Sequence, residues 1–124
     1  MAESTEKQAE SVVKEELEAE GWEVENADYG SGYDLDATKN GESKKIEVKG
    51  TTKNEDIGFR RMPHGGFEAA QEHCDYEFWV VYNLPDEAEI LVFPRDEVLR
   101  RVRLDIGWEL PIRKADYETY KRGQ

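Results

Sequence analysis

Apolar residues near the start of the chain recur at Ala9, Val12, Val13 and Leu17, with charged side chains on the opposite side. That spacing predicts a helix over residues 6–20, with Ser4 or Thr5 placed to cap it and Gly21 to stop it. The period then shortens. Residues 22–25 alternate apolar and acidic, as a short strand does, and 26–32 form a loop broken by Gly30 and Gly32. Residues 33–39 alternate again, with Tyr33, Leu35 and Ala37 on one side and Asp34, Asp36 and Thr38 on the other. Asn40-Gly41 follows, the strongest short hairpin signal. The return strand, 42–49, sets Ile46 and Val48 against Lys45, Glu47 and Lys49, and Gly50 ends it.

Beyond Gly50 a short extended piece is expected at 59–62, then a His64-Gly65-Gly66 loop and a helix over 67–74. Residues 76–82 are almost continuously apolar, the mark of a strand covered on both faces. Pro85-Asp86 is a turn, 89–93 a strand and 95–102 a helix with Val98, Leu99 and Val102 as its stripe. The 108–120 tail reads as a strand and then a final helix. Helix, three strands, helix, strand and extras make an α/β domain, a mixed sheet flanked by helices. The length of 124 residues suits one domain, with its core over about 6–84 and a C-terminal extension over 85–124. The longest apolar run, 78–82, is too short for a bilayer. MAESTEKQAE lacks the apolar centre of a signal peptide, so a cytoplasmic protein without membrane contact is expected. The single cysteine, Cys74, forms no internal disulfide and is expected as buried filler.

Charge changes this picture in two ways. The net charge is −12, and the acids are spread over nearly every element, as suits a surface solvated in very high salt; a halophilic source is the expectation. The distribution is uneven. Residues 1–36 carry 12 acidic and 2 basic side chains, whereas 38–61 carry 7 basic and 4 acidic. A polyanion can approach that second face although the whole molecule repels it.

The hairpin also fixes chemistry. With Asn40-Gly41 as a two-residue loop, facing positions have numbers that add to 81, so Lys39 faces Glu42, Asp36 faces Lys45 and Asp34 faces Glu47. Facing side chains have Cβ atoms about 4.5–5.5 Å apart. Asp36 with Lys45 is favourable; Asp34 with Glu47 opposes two like charges. Lys49, diagonal to Asp34, offsets part of the repulsion. A hard cation such as Mg²⁺ or Mn²⁺ would offset more. A bulge in either strand would break the numbering rule.

Gly32-Tyr33-Asp34-Leu35, a hairpin and then Ile46-Glu47-Val48-Lys49-Gly50 resemble the motif of the PD-(D/E)xK nuclease superfamily. Together with Ala9-Glu10 and Gly21-Trp22-Glu23-Val24, they are most similar to the NO VEIN C-terminal domain family, and more distantly to the archaeal Holliday-junction resolvases. The resemblance covers about 6–84, and the first motif has Tyr-Asp where the superfamily name has Pro-Asp. It implies a restriction-endonuclease-like αβββαβ core. It also implies Asp34 and Glu47 as metal-binding carboxylates, Glu10 as the helix glutamate completing the metal site, and Lys49 as the lysine that orients water or steadies the transition state. Glu68 resembles a glutamate at the start of the family's second helix. The implied activity is a Mg²⁺- or Mn²⁺-dependent phosphodiesterase on nucleic acid, DNA before RNA, in repair or defence, gripping its substrate as a homodimer or with a partner subunit.

Lys44, Lys45, Lys53, Arg60, Arg61 and His64 are the candidate nucleic-acid contacts, with solubility as their alternative role. Arg100 and Arg101 follow Asp96 and Glu97 at helical spacing, which predicts pairs within the helix. Trp22, Trp79 and Trp108 are expected in the core or at its edge. Two other functions fit the charge: an inactive nuclease-fold module that binds nucleic acid or protein, and a regulatory partner whose Glu15, Glu16, Glu18 and Glu20 mimic a polyanion.

Overall fold

The N-terminal period is realised as α1 (Thr5–Ala19). In this computed structural model, residues 4–28, 30–54, 57–60, 64–101, 103–104 and 108–123 are described. Ser4 caps α1 by accepting from the Lys7 N–H at 3.2 Å, and Gly21 ends it with φ +96°. Three strands follow: β1 (Glu23–Asn26), β2 (Leu35–Lys39) and β3 (Glu42–Gly50). Asn40 and Gly41 both have positive φ, 51° and 83°, as the tight turn between β2 and β3 requires. The expected register holds over β2, with Leu35 opposite Ile46, Asp36 opposite Lys45 and Lys39 opposite Glu42.

The later elements are β4 (Ile57–Arg60), α2 (His64–Glu72), β5 (Tyr76–Tyr82), β6 (Glu89–Pro94), α3 (Arg95–Arg101), β7 (Arg103–Leu104), β8 (Trp108–Ile112) and α4 (Asp116–Tyr120). The main sheet runs β1-β2-β3-β5-β6. β3 and β5 are parallel, and the other neighbours antiparallel, which makes the mixed sheet expected from the element order. α1 covers one face with Ala9, Val13 and Leu17, packed on Leu35, Ala37, Ile46, Val48, Trp79 and Val81. Fully burying a Leu or Val side chain contributes about 1.5–3 kcal/mol, so this stripe secures α1 to the hairpin. The other face is covered by α2, α3 and β8, where Ala69, Ala70, Val98, Leu110 and Ile112 meet Tyr76, Phe78, Val80 and Phe93. The C-terminal extension is thus part of the core.

Four expectations change. The short extended piece expected at 59–62 is β4, which begins at Ile57; it pairs with β8, and β7 joins them in a second three-stranded sheet. His64-Gly65-Gly66 is no loop but the first turn of α2. Two glycines cost about 1 kcal/mol each in helix propensity, which the burial of Ala69 and Ala70 one turn later offsets. Cys74 is exposed, because α2 ends at Glu72 and leaves the cysteine in the turn into β5. Tyr33 leaves the face it was expected to share with Leu35 and packs instead with the cluster on the far side of the sheet. No helix among the described residues is long and apolar enough to cross a membrane.

Candidate active site

Tyr33 changes face because the β2–β3 ladder is broken just before Leu35. The Asp34 N–H donates to the Ile46 carbonyl at 2.9 Å, although Ile46 is already opposite Leu35. Two residues of one strand therefore share one partner on the other, which is a bulge. The Val48 N–H, left without a strand partner there, donates to Asp34 Oδ2 at 2.8 Å. Asp34 thus stands at the end of β2 as a side chain doing the work of a backbone acceptor. Its carboxylate is fixed against the strand that carries Glu47 and Lys49.

Glu47 is 4% exposed, the one buried charged residue among the described residues. A hydrogen bond joins its carboxyl to that of Asp34. Burial pushes the Glu47 carboxyl well above the usual carboxylate range. The hydrogen bond and charge of Asp34 push it the same way, and Lys49 opposes them. The two carboxyls thus meet at the place where the sequence predicts a cation. Lys49 is half-buried two residues further along β3.

Asp34, Glu47, Lys49 and Glu10 line one open cleft of about 440 Å³, together with Asn26, Ala27, Asp28, Gly30, Gly32 and Tyr33. Among the described residues, no three His, Cys, Asp or Glu side chains converge as a ready-made cation cage. Glu10 borders the Asp34–Glu47 pair without completing it. Its carboxyl is pushed up by partial burial and then by the charges of Asp34 and Glu6, against Lys14 and Lys7. The two aligned residues, with oxygen donors only, fit a hard divalent ion whose remaining positions are filled by water or substrate oxygen.

Sequence reasoning missed Glu6. The residue is exposed as a whole, but its carboxyl turns inward, accepts from the Gly50 N–H and faces Lys49. Burial pushes it up, Lys49 and the Gly50 bond lower it, and Asp34 raises it again. The signal was present: Glu6 is one helical turn before Glu10. Gly50 carries the other half. A Cβ there would come within 2.7 Å of Ala9 Cβ and 2.8 Å of the Thr5 carbonyl, so only glycine lets α1 approach the end of β3 this closely.

The basic candidates separate. Lys45 pairs with Asp36 at 2.7 Å, as the register predicts, and lies over the Tyr33 ring. Lys44 pairs with Glu77 at 3.3 Å and lies over Trp22. Lys53 is exposed beyond β3. Arg61 and the side chains of Arg60 and His64 lie outside the described residues. Glu68 is exposed on α2 and does not line the cleft. Arg100 and Arg101 pair with Glu97, the second at 2.6 Å, as helical spacing predicts; Arg101 also reaches Asp116 at 2.6 Å. Trp79 is fully buried, Trp22 half-buried, and the Trp108 side chain lies outside the described residues.

A five-stranded mixed sheet between helices, with an aspartate at a bulged strand end beside Glu-Val-Lys on the next strand, is the restriction-endonuclease-like architecture of the PD-(D/E)xK nucleases. The family model described as "Protein NO VEIN, C-terminal" matches residues 5–93, and the chain belongs to that family. Among solved structures it is similar to Hjc, a Holliday junction resolvase from the archaeal hyperthermophile Archaeoglobus fulgidus. The TM-score is 0.64 at 17% identity, over 94% of this chain and 90% of that one. It is also similar to the bacterial homing endonuclease I-Ssp6803I, with TM-score 0.66 at 18% identity, over 94% of this chain and 86% of that one. No curated protein matches it by sequence.

Proposed function

We propose that this domain is a Mg²⁺- or Mn²⁺-dependent nucleic-acid phosphodiesterase, an endonuclease acting on DNA in repair or defence. The observation that carries the reading is the burial of Glu47, 4% exposed and hydrogen-bonded to Asp34, at the floor of an open cleft. A fold does not bury a carboxyl beside a second one for stability, because a buried charge costs free energy unless it is paired. Asp34 and Glu47 would hold the cation, with Glu10 able to join them from α1. When bound, that ion supplies positive charge to the phosphate and lowers the pKa of a water molecule. The chain's own groups do the rest. Val48 N–H fixes the direction of the Asp34 carboxylate. Lys49 places an ammonium beside the scissile phosphate to steady the charge that builds there. Glu6 faces Lys49 from α1 and offsets part of its charge. The nuclease-fold neighbours support the same class of reaction, the first being a resolvase and the second an endonuclease.

The test is cleavage of plasmid and branched DNA with Mg²⁺ or Mn²⁺, at low and at high salt. Wild type should nick, and Asp34→Ala and Glu47→Ala should reduce nicking to background. Cleavage that survives both substitutions rules out the site. One observation favours a second reading, a nuclease-fold module that binds without turnover. Lys44 and Lys45 are already paired with Glu77 and Asp36, and the net charge of −12 weakens contact with a phosphate backbone. DNA binding by wild type without nicking in any divalent ion would select that reading.

A further inference from the structure

Tyr76 opens β5, and its side chain is 1% exposed. Its hydroxyl is buried and has no hydrogen-bond partner. An orphaned buried hydroxyl is uncommon and calls for a reason. The neighbourhood supplies one. β3 and β5 are adjacent and parallel, with Lys45 beside Tyr76 and Glu47 beside Phe78. Ile46 and Val48 on β3, and Trp79 and Val81 on β5, turn to the α1 face. Strand alternation therefore puts Glu47 and Tyr76 on the other face, one diagonal step apart. Burial pushes the phenol above the ordinary tyrosine range, and the charges of Glu47 and then Asp34 push it the same way. Tyr76 belongs to the buried cluster that includes Ala69, Ala70 and Phe78, so its ring is enclosed in the core.

We propose that Tyr76 is a positioning residue for Glu47: its hydroxyl donates to one Glu47 oxygen and orients the other toward the cleft for a divalent cation. The proposal rests on the reading of Asp34 and Glu47 as cation ligands. A carboxylate that gives one oxygen to a metal leaves a second one in a buried place, and that oxygen needs a donor. Tyr76 is a buried donor one diagonal step from Glu47 with no acceptor of its own. The hydroxyl pays for its burial only when Glu47 is in the ligating arrangement, which makes it a bias toward that arrangement.

The experiment uses Tyr76→Phe, which keeps the ring and deletes the hydroxyl. Mn²⁺ binding is measured by calorimetry and by the metal-dependent rise in melting temperature, with no nucleic acid present. Tyr76→Phe should bind Mn²⁺ about tenfold more weakly than wild type. Its metal-free melting temperature should be equal to or above wild type, since a polar group without a partner has been removed from the core. Tyr82→Phe deletes a hydroxyl from the same strand and the same core cluster, away from the cleft, and should bind Mn²⁺ as wild type does. In a Glu47→Gln background, Tyr76→Phe should cause no further loss. Wild-type affinity in Tyr76→Phe overturns this proposal alone. Absence of Mn²⁺ binding by wild type overturns it together with the cation-site reading beneath it.

Discussion

Two pairs of side chains, two residues apart on the same hairpin, use the same geometry for opposite ends. Asp36 and Lys45 face each other in regular register, half-exposed, 2.7 Å apart. Asp34 and Glu47 come together next to them, but the register has slipped by a bulge and one of the acids is buried. The first pair is complete as it stands. In the second, burial and Asp34 push the Glu47 carboxyl above the usual carboxylate range, with Lys49 opposing them. Equal proximity therefore does not mean equal purpose: a cross-strand pair that satisfies itself is structural, and one that the fold leaves unbalanced is where a ligand belongs.

The contrast can be tested from its strongest consequence downward. Lys49→Ala should lower the rate of DNA cleavage by about 10²–10³-fold with little change in Mn²⁺ affinity, because the ammonium acts on the phosphate and not on the cation. Equal losses in rate and metal affinity would place Lys49 in the metal site instead.

The next test is pH. Glu47 is raised in the folded chain, so its contribution is fully present below the ordinary carboxylate range and is lost as pH rises toward the folded value. Across that window the metal-free protein should lose about 1.4 kcal/mol of stability per pH unit relative to Glu47→Gln. Denaturant melts of both proteins from pH 5 to pH 8 provide the measurement. Parallel stability curves would mean that Glu47 is ionised in the fold after all. Saturating Mn²⁺ should flatten the wild-type slope and leave that of Glu47→Gln unchanged.

The smallest effect belongs to the other pair. Lys45→Ala should cost about 0.5 kcal/mol, typical of a cross-strand ion pair with partial solvent access, and should leave Mn²⁺ binding where it was. A change in metal affinity with Lys45→Ala would dissolve the division between the two pairs.

Most of the main sheet was legible because its signals are local. Asn40-Gly41 determines the turn, period-two alternation determines the register of β2 on β3, and the unbroken apolar run determines the central place of β5. The site was legible as a set of residues and only partly as a geometry. Asp34 was assigned opposite Glu47, but the bulge that delivers it depends on how the Gly30–Gly32 loop returns to the sheet, which no local pattern encodes. Glu6 was hidden among many acids, and only the packing of α1 over Gly50 distinguishes it from its solvated neighbours. Tyr76 read as one more strand aromatic, since an unpartnered hydroxyl is a property of the surroundings. The β4-β8-β7 sheet joins pieces about fifty residues apart, one of them two residues long, too short to carry any period.

Gly50 gives the site a spacing that can be adjusted. Glu10, on one side of the cleft, rides on a helix; Glu47 and Lys49, on the other, ride on a strand. The two elements touch where Gly50 meets Ala9 and Thr5. The gap between the acids of the helix and those of the strand is therefore set by a methyl group that is missing. A substitution at Gly50 or Ala9 would move the two halves apart without altering any residue that lines the cleft.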